Sequence, residues 1–319
     1  MPYRLRARES VRRGIKRTAV EEIECAIRRL THGKNRDEAV HDARKSVKKI
    51  RGAIRLVRFD FGDMLAAEIA FFRDIGRKLS ELRDTQAMLE IFDGLVEKYK
   101  AELGSGALDS VRLDLVARKE RFEQAQSGSA VIDDVLKDLR KARQRVDRWP
   151  LTSNGFAAVA PGLAATFKQG RRAFASAYEN PLPENFHEFR KRAKDHWYHI
   201  RLFQNLWTPA LAKYESSLKS LEQALGDDHN LVVLRETIAA NPASFTNSHD
   251  LETAFALMDN YQRELRIEAR VIGERIYGQR PREFVAQMQR FWEGWKHEAE
   301  RSWARRTLPV RRTVLATSA

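Results

Sequence analysis

The chain has 319 residues, 43% of them hydrophobic, a formal net charge of +14 and a single cysteine, Cys25. The length suggests about two domains, and the apolar fraction is enough for a core in each half. A pI near 10.0 favours a polyanionic partner or an anionic surface; one cysteine excludes an internal disulfide framework and fits a reducing cytoplasm.

Taken in order, the N-terminus MPYRLRARESVRRGIKR is Arg-rich but leads into no apolar stretch, so it is not a secretory signal. An organelle transit peptide is the alternative its arginines leave open. No apolar run approaches the ~18 residues that a membrane span needs, so no membrane partner is expected. No proline occurs between Pro2 and Pro150, and convincing period-2 runs are absent; both point to continuous helices. Helices are predicted over Glu9–Leu30, then from an Asp37 cap through the His41 stretch, then from an Asp63 cap to Leu79 after a turn at Phe59–Asp63. Others follow from a break near Ser80 to Ala101, over Leu108–Gln126 after a Gly104–Gly106 loop, and over Val131–Arg148. Trp149–Gly155, with Pro, Ser, Asn and Gly together, reads as a linker between residues 1–150 and 151–319. Beyond it, helices are expected over Phe156–Tyr178, Pro183–Leu206, Pro209–Leu225 and Asp228–Ala239. A loop at Asn241–Ser248, a long helix to Tyr277, a last helix from Pro281 and a basic tail from Arg301 complete the chain. Short connections between antiparallel helices imply a bundle in each half, an all-α fold.

The stretch His41–Arg58, HDARKSVKKIRGAIRLVR, carries seven Lys/Arg and one acid, Asp42. On a helix, His41, Arg44, Lys48, Arg51 and Arg55 fall within an arc of roughly 80°. Ala43, Val47, Ile50, Ala53, Ile54 and Val57 centre on a different side, so one side packs and another presents a column of cations. A merely soluble helix would mix acids into that column. The pattern returns 146 residues later in HEFRKRAKDHWYHIRLF. There His187, Arg190, Lys191, Lys194 and Arg201 match His41, Arg44, Lys45, Lys48 and Arg55 without a gap. Downstream, Arg73 maps to Lys219, Arg83 to His229 and Asp84 to Asn230. Such an offset makes the chain two halves of one design. Arg51 corresponds to Trp197, so the second column has one cation fewer.

Other chemistry is weaker. A single basic column is ordinarily a solvated face, but its repetition at one offset, led by histidine both times, favours a site. His187, His196 and His199 have ligand-like spacing, yet the surrounding Arg and Lys would repel a metal cation. A nucleophilic or base role for His41 or His187 needs a Ser or Cys partner and an orienting acid, and the sequence offers no such constellation; the only GSG lacks the GK[ST] of a phosphate loop. Trp197, Phe203, Trp292 and Trp295 read as core rather than as stacking platforms. No cofactor and no catalytic residue is expected.

These motifs resemble a known family. HDARKSVKKIRGAIRLVR with LSELRDTQAML, and HEFRKRAKDHWYHIRLF with ALGDDHNLVVL, are similar to the two halves of the CHAD family, the conserved histidine α-helical domain. GRRAFASAYEN resembles the first helix of the family's second half. The resemblance implies two helical bundles related by a pseudo-twofold, with a basic groove or pore between them that binds inorganic polyphosphate. Carried over by position, the binding set is His41, Arg44, Lys48, Arg51, Arg55, Arg73 and Arg83, with Arg171, His187, Arg190, Lys194, Arg201, Lys219 and His229. Trp197 departs from the pattern. Family members are often fused to a triphosphate tunnel domain, and nothing here corresponds to one. The expectation is therefore a cytoplasmic, polyphosphate-granule or regulatory binding protein rather than an enzyme. The alternatives are a nonspecific nucleic-acid binder and a phosphohydrolase in which Asp84, Asp227 and Asp228 gather a metal; acids so placed are more often helix caps.

Overall fold

The computed structural model describes residues 3–82, 84–104, 106–125, 128–240 and 247–307. Within them the regular elements are all helical: α1 (Val11–His32), α2 (Arg36–Leu56), a single turn α3 (Arg58–Phe61), α4 (Met64–Glu81), α5 (Asp84–Lys98), α6 (Asp109–Ala125) and α7 (Gly128–Val146), then α8 (Ala160–Glu179), α9 (Pro183–Leu202), α10 (Thr208–Ala239), α11 (Ser248–Tyr277) and α12 (Pro281–Thr307), with one 3-10 turn at Phe156–Ala158.

Side-chain caps start several helices by satisfying amide donors that have no partner within the helix. Ser10 accepts from the Arg13 amide at α1, and Asn247 accepts from His249 and Asp250 at α11. At α2 the cap is Asn35, which accepts from the Glu38 amide. Asp37, the expected cap, instead lies inside the first turn with Glu38, where acids complement the helix dipole. Asp63 precedes α4 but makes no capping hydrogen bond. The expected helices Pro209–Leu225 and Asp228–Ala239 form one continuous α10. Gly226 is buried inside it, and the modest cost of an interior glycine does not break a helix held by packing on both sides. Asp227 and Asp228 are therefore mid-helix residues, not caps.

α1, α2, α4 and α7 pack together, and α8 to α12 form a second group around α9. α2 and α9 touch each other, and α8 also reaches α2. The α5–α6 hairpin leans on α10 and α11: Tyr99 donates to Glu264 at 3.1 Å and Ser110 to Asp250 at 2.5 Å. Buried apolar residues form one continuous cluster from Tyr3 to Trp295. The Trp149–Gly155 stretch is pinned to that core. Trp149 and Leu151 are buried, the Trp149 indole N–H donates to Glu68 at 3.1 Å, and Ser153 hydrogen-bonds Asp60 through both amide and hydroxyl. The loop expected at Asn241–Ser248 falls mostly outside the described residues, as does the tail beyond Thr307.

Candidate functional site

The site is built where α2 crosses α9. α2 buries Ala43, Val47, Ile50, Ala53 and Ile54, which fixes the opposite orientation for its cations. At the crossing Gly52 meets Tyr198 so closely that a Cβ on Gly52 would lie 2.9 Å from the Tyr198 Cβ. His199 Nε2 donates to the Gly52 carbonyl at 2.9 Å, and Arg55 Nη1 donates to Asp195 Oδ1 at 2.9 Å. Glycine is needed at 52 because the two backbones approach at that point.

On one side of the crossing, cations from both columns converge. The Lys48 ammonium is held well below its ordinary pKa, first by desolvation, then by repulsion from Lys194, Arg44 and Arg190, with Glu222 opposing. Desolvation also lowers Lys194, and the Glu222 carboxylate that accepts from it pulls the other way. Arg190 is lowered mainly by burial, and its Nε is buried with no hydrogen-bond partner. Arg44 Nη1 reaches the Gly76 carbonyl at 3.4 Å. Beside this cluster, the Nδ1 atoms of His187 and His229 lie 3.2 Å apart, so one neutral ring donates to the other. Burial lowers both, His187 further by Lys191 and Arg190, and His229 to about 4 with Arg190, His187, Lys48 and Lys191 adding to it.

On the other side a second cluster surrounds Asp195, on which Arg55, Arg192, Arg51 and Arg58 all act. Desolvation pushes the Asp195 carboxyl up against the pull of these guanidinium groups. Arg51 is lowered to about 10 by burial and by Arg55, with Arg73 adding to the repulsion, and its Nε is buried without a partner. A depression of about 480 Å³ lined by Arg55, Arg58, Asp63 and Leu65 adjoins this cluster.

The remaining expected residues are less central. His41 is half-buried on α2, one turn before Arg44. Arg73 is exposed and pairs with Asp74 at 3.2 Å. Arg201 lies over the Trp197 ring, 5.0 Å from its centroid, and near Glu215 at 3.8 Å. Lys219 is exposed on α10. Arg171 donates to the Gln279 carbonyl at 3.4 Å, at the α11–α12 turn, and is not among the charges acting on Lys48, Arg51 or Arg190. Arg83 lies outside the described residues, as does the side chain of Asp84. Trp197 is half-buried at the margin of the core, stacked on Tyr198 with centroids 5.2 Å apart, and its indole donates to Glu215 at 3.2 Å.

Three further charged residues shape the site and were not singled out from sequence: Glu222, Asp195 and Arg192. The 146-residue offset carried a readable signal, since it sets Glu222 opposite Gly76 and Asp195 opposite Lys49. His196 and His199 are buried among aromatic and backbone groups, and burial drives both to about 3; they are neutral core residues. Asp228 is buried and held by Arg266 at 2.7 Å, and Asp227 accepts from Gln223. Among the described residues no group of three or more His, Cys, Asp or Glu is arranged to hold a metal. No helix among them is long and apolar enough to cross a membrane. A cleft of about 830 Å³ between Arg8–Val11 and Trp292–Glu300 on α12 shares no residue with either basic column.

Two paired helices thus gather desolvated cations and guanidinium donors without partners, groups whose chemistry suits anionic oxygens. Residues 8–239 match the CHAD domain family, and the chain belongs to that family. A crystal structure of the CHAD domain from the plant Ricinus communis shares the fold at a TM-score of 0.58 and 15% identity, over 86% of this chain and 94% of that one. No curated protein matches the chain.

Proposed function

We propose that this protein binds inorganic polyphosphate along a basic groove formed where α2 and α9 meet. In this reading the two helices are the equivalent halves of a duplicated, pseudo-twofold design. It acts as a binding or granule-associated protein in the cytoplasm, not as an enzyme. The observation that carries this reading is the cluster of Arg44 with the desolvated Lys48, Arg190 and Lys194, with the Nε atom of Arg190 buried and unpaired. Such groups repel one another and leave donors unsatisfied, costs that an anion entering the cluster removes. Polyphosphate suits it because it is a narrow chain with about one charge per unit, able to reach half-buried donors that a duplex would meet only at its surface. Arg clasps phosphate oxygens in a fork and Lys adds point charge, both set on rigid helices.

The test is a titration with polyphosphate of several lengths and a competition with duplex DNA. Polyphosphate should displace DNA far more readily than the reverse; equal or better displacement by DNA would make this a general nucleic-acid binder. The double variant Arg44→Ala/Lys48→Ala should bind more weakly, with a flatter dependence of log affinity on log salt. It should melt no lower than the wild type, because Lys48 is repelled by its neighbours in the folded state.

A further inference from the structure

Lys48 and Lys194 are equivalent under the 146-residue offset, and under the same offset Glu222 stands opposite Gly76. The two lysines are nevertheless in different states. Lys194 donates to the Glu222 carboxylate, whose side chain is 13% exposed. Lys48 has no carboxylate within ion-pair distance among the described residues. Glu222 also acts on Arg190, whose Nε it leaves without a partner. A carboxylate and a phosphate offer these cations the same kind of oxygen acceptor.

We propose that Glu222 is an internal counter-anion that holds a phosphate's place among Lys48, Arg190 and Lys194 and must be displaced when polyphosphate enters, so that it limits the affinity of this end of the site. The proposal rests on the polyphosphate reading above. In the empty protein the carboxylate offsets repulsion among half-buried cations, which a single acid does only in part. On binding, a phosphate oxygen replaces it at Lys194 and reaches the unpaired Arg190 donor, while Glu222 turns to solvent. Among the described residues no carboxylate takes that place beside Lys48 in the first half, where the equivalent Gly76 has no side chain and turns its carbonyl toward Arg44 at 3.4 Å. The two halves therefore bind unequally.

The experiment compares wild type, Glu222→Gln and Gly76→Glu by calorimetric titration with polyphosphate of one defined length, alongside melting without ligand. Glu222→Gln should melt lower when empty yet bind roughly tenfold tighter, about the worth of one charge-assisted contact. Gly76→Glu introduces the missing competitor; a Cβ there meets only Val47 Cγ1 at 3.6 Å, an ordinary contact, so the fold accommodates it. It should bind roughly tenfold more weakly, and it carries the test alone if Glu222→Gln does not fold. A folded Glu222→Gln that binds no tighter, or a Gly76→Glu with unchanged affinity, overturns the role of Glu222 while leaving the polyphosphate reading intact. A wild-type protein that binds no polyphosphate sinks both.

Discussion

His187 and His229 show how neighbours set the state of a side chain. Each is pushed down by burial and by surrounding cations, and Glu188 alone pulls His187 the other way. An unfolded histidine titrates near 6.5, whereas folded His229 titrates at about 4. Below about 6.5 the unfolded state takes up a proton that the folded state refuses, so this part of the stability is present above that pH and lost on acidification toward 4. A bound polyanion reverses the balance by favouring the imidazolium. Polyphosphate affinity should therefore rise as pH falls from 7.5 to 5, with net proton uptake visible as a buffer-dependent binding heat. His229→Gln should flatten that rise; an identical pH profile in wild type and variant would show that the pair is a bystander and that the ligand's own titration dominates. Arg51 and Trp197 form the second residue-scale contrast. Arg51→Ala removes a buried cation with an unpaired donor and should weaken binding by about 1.5–3 kcal/mol, a charged hydrogen bond's worth. Trp197→Ala loses its stack on Tyr198 and its bond to Glu215, and should lower the melting temperature more than the affinity.

Element packing depends on glycine at close approaches. A Cβ on Gly52 would press on Tyr198, and one on Gly162 of α8 would sit 1.9 Å from the Leu56 carbonyl oxygen. α2 is thus clamped between α9 and α8 by two residues that must stay small. Gly52→Ala should cost about 1–3 kcal/mol in a urea melt, the usual penalty of overpacking, and should weaken polyphosphate binding by moving one cationic column from the other. Gly94 is the control: it lies inside α5 with nothing within 4 Å of an added Cβ, so Gly94→Ala should stabilise by about 0.5–1 kcal/mol through helix propensity. Stability unchanged by Gly52→Ala would mean that the crossing is looser than its geometry.

For the whole molecule, the question is whether two groups of helices make two folding units. The core runs unbroken through the α2–α9 contact, Trp149 anchors the connecting stretch, and α5 and α6 lean on α10 and α11. Cooperative unfolding follows when no boundary is free of buried contacts. The six tryptophans all lie at or after Trp149, so their fluorescence reports the second group and the connection, while far-UV ellipticity reports both groups. The two signals should melt together in urea. Separated midpoints would show that the halves unfold independently.

Local and periodic features were legible before any coordinates. The order of helices, the cationic columns on α2 and α9 and the 146-residue offset follow from spacing along the chain, and a helix converts spacing into faces whatever it packs against. Where a local signal was read alone it misled: the cap expected at Asp37 is Asn35, and the break expected after Leu225 is a continuous α10 through Gly226. The first is settled by a local hydrogen bond from the Glu38 amide, the second by packing along the helix. The state of the charges was not legible at all. α2 carries few acids, yet Asp195 from α9 and Glu222 from α10 stand among the cations. His196 and His199 share a helix with His187, but burial makes them neutral core residues while His187 faces Arg190 and Lys191. Coulomb interaction and desolvation depend on distance through space and on access to water. The sequence therefore determined which cations this protein carries and on which helix faces, and only the tertiary structure decided which of them meet, which acids oppose them and which donors remain unpaired.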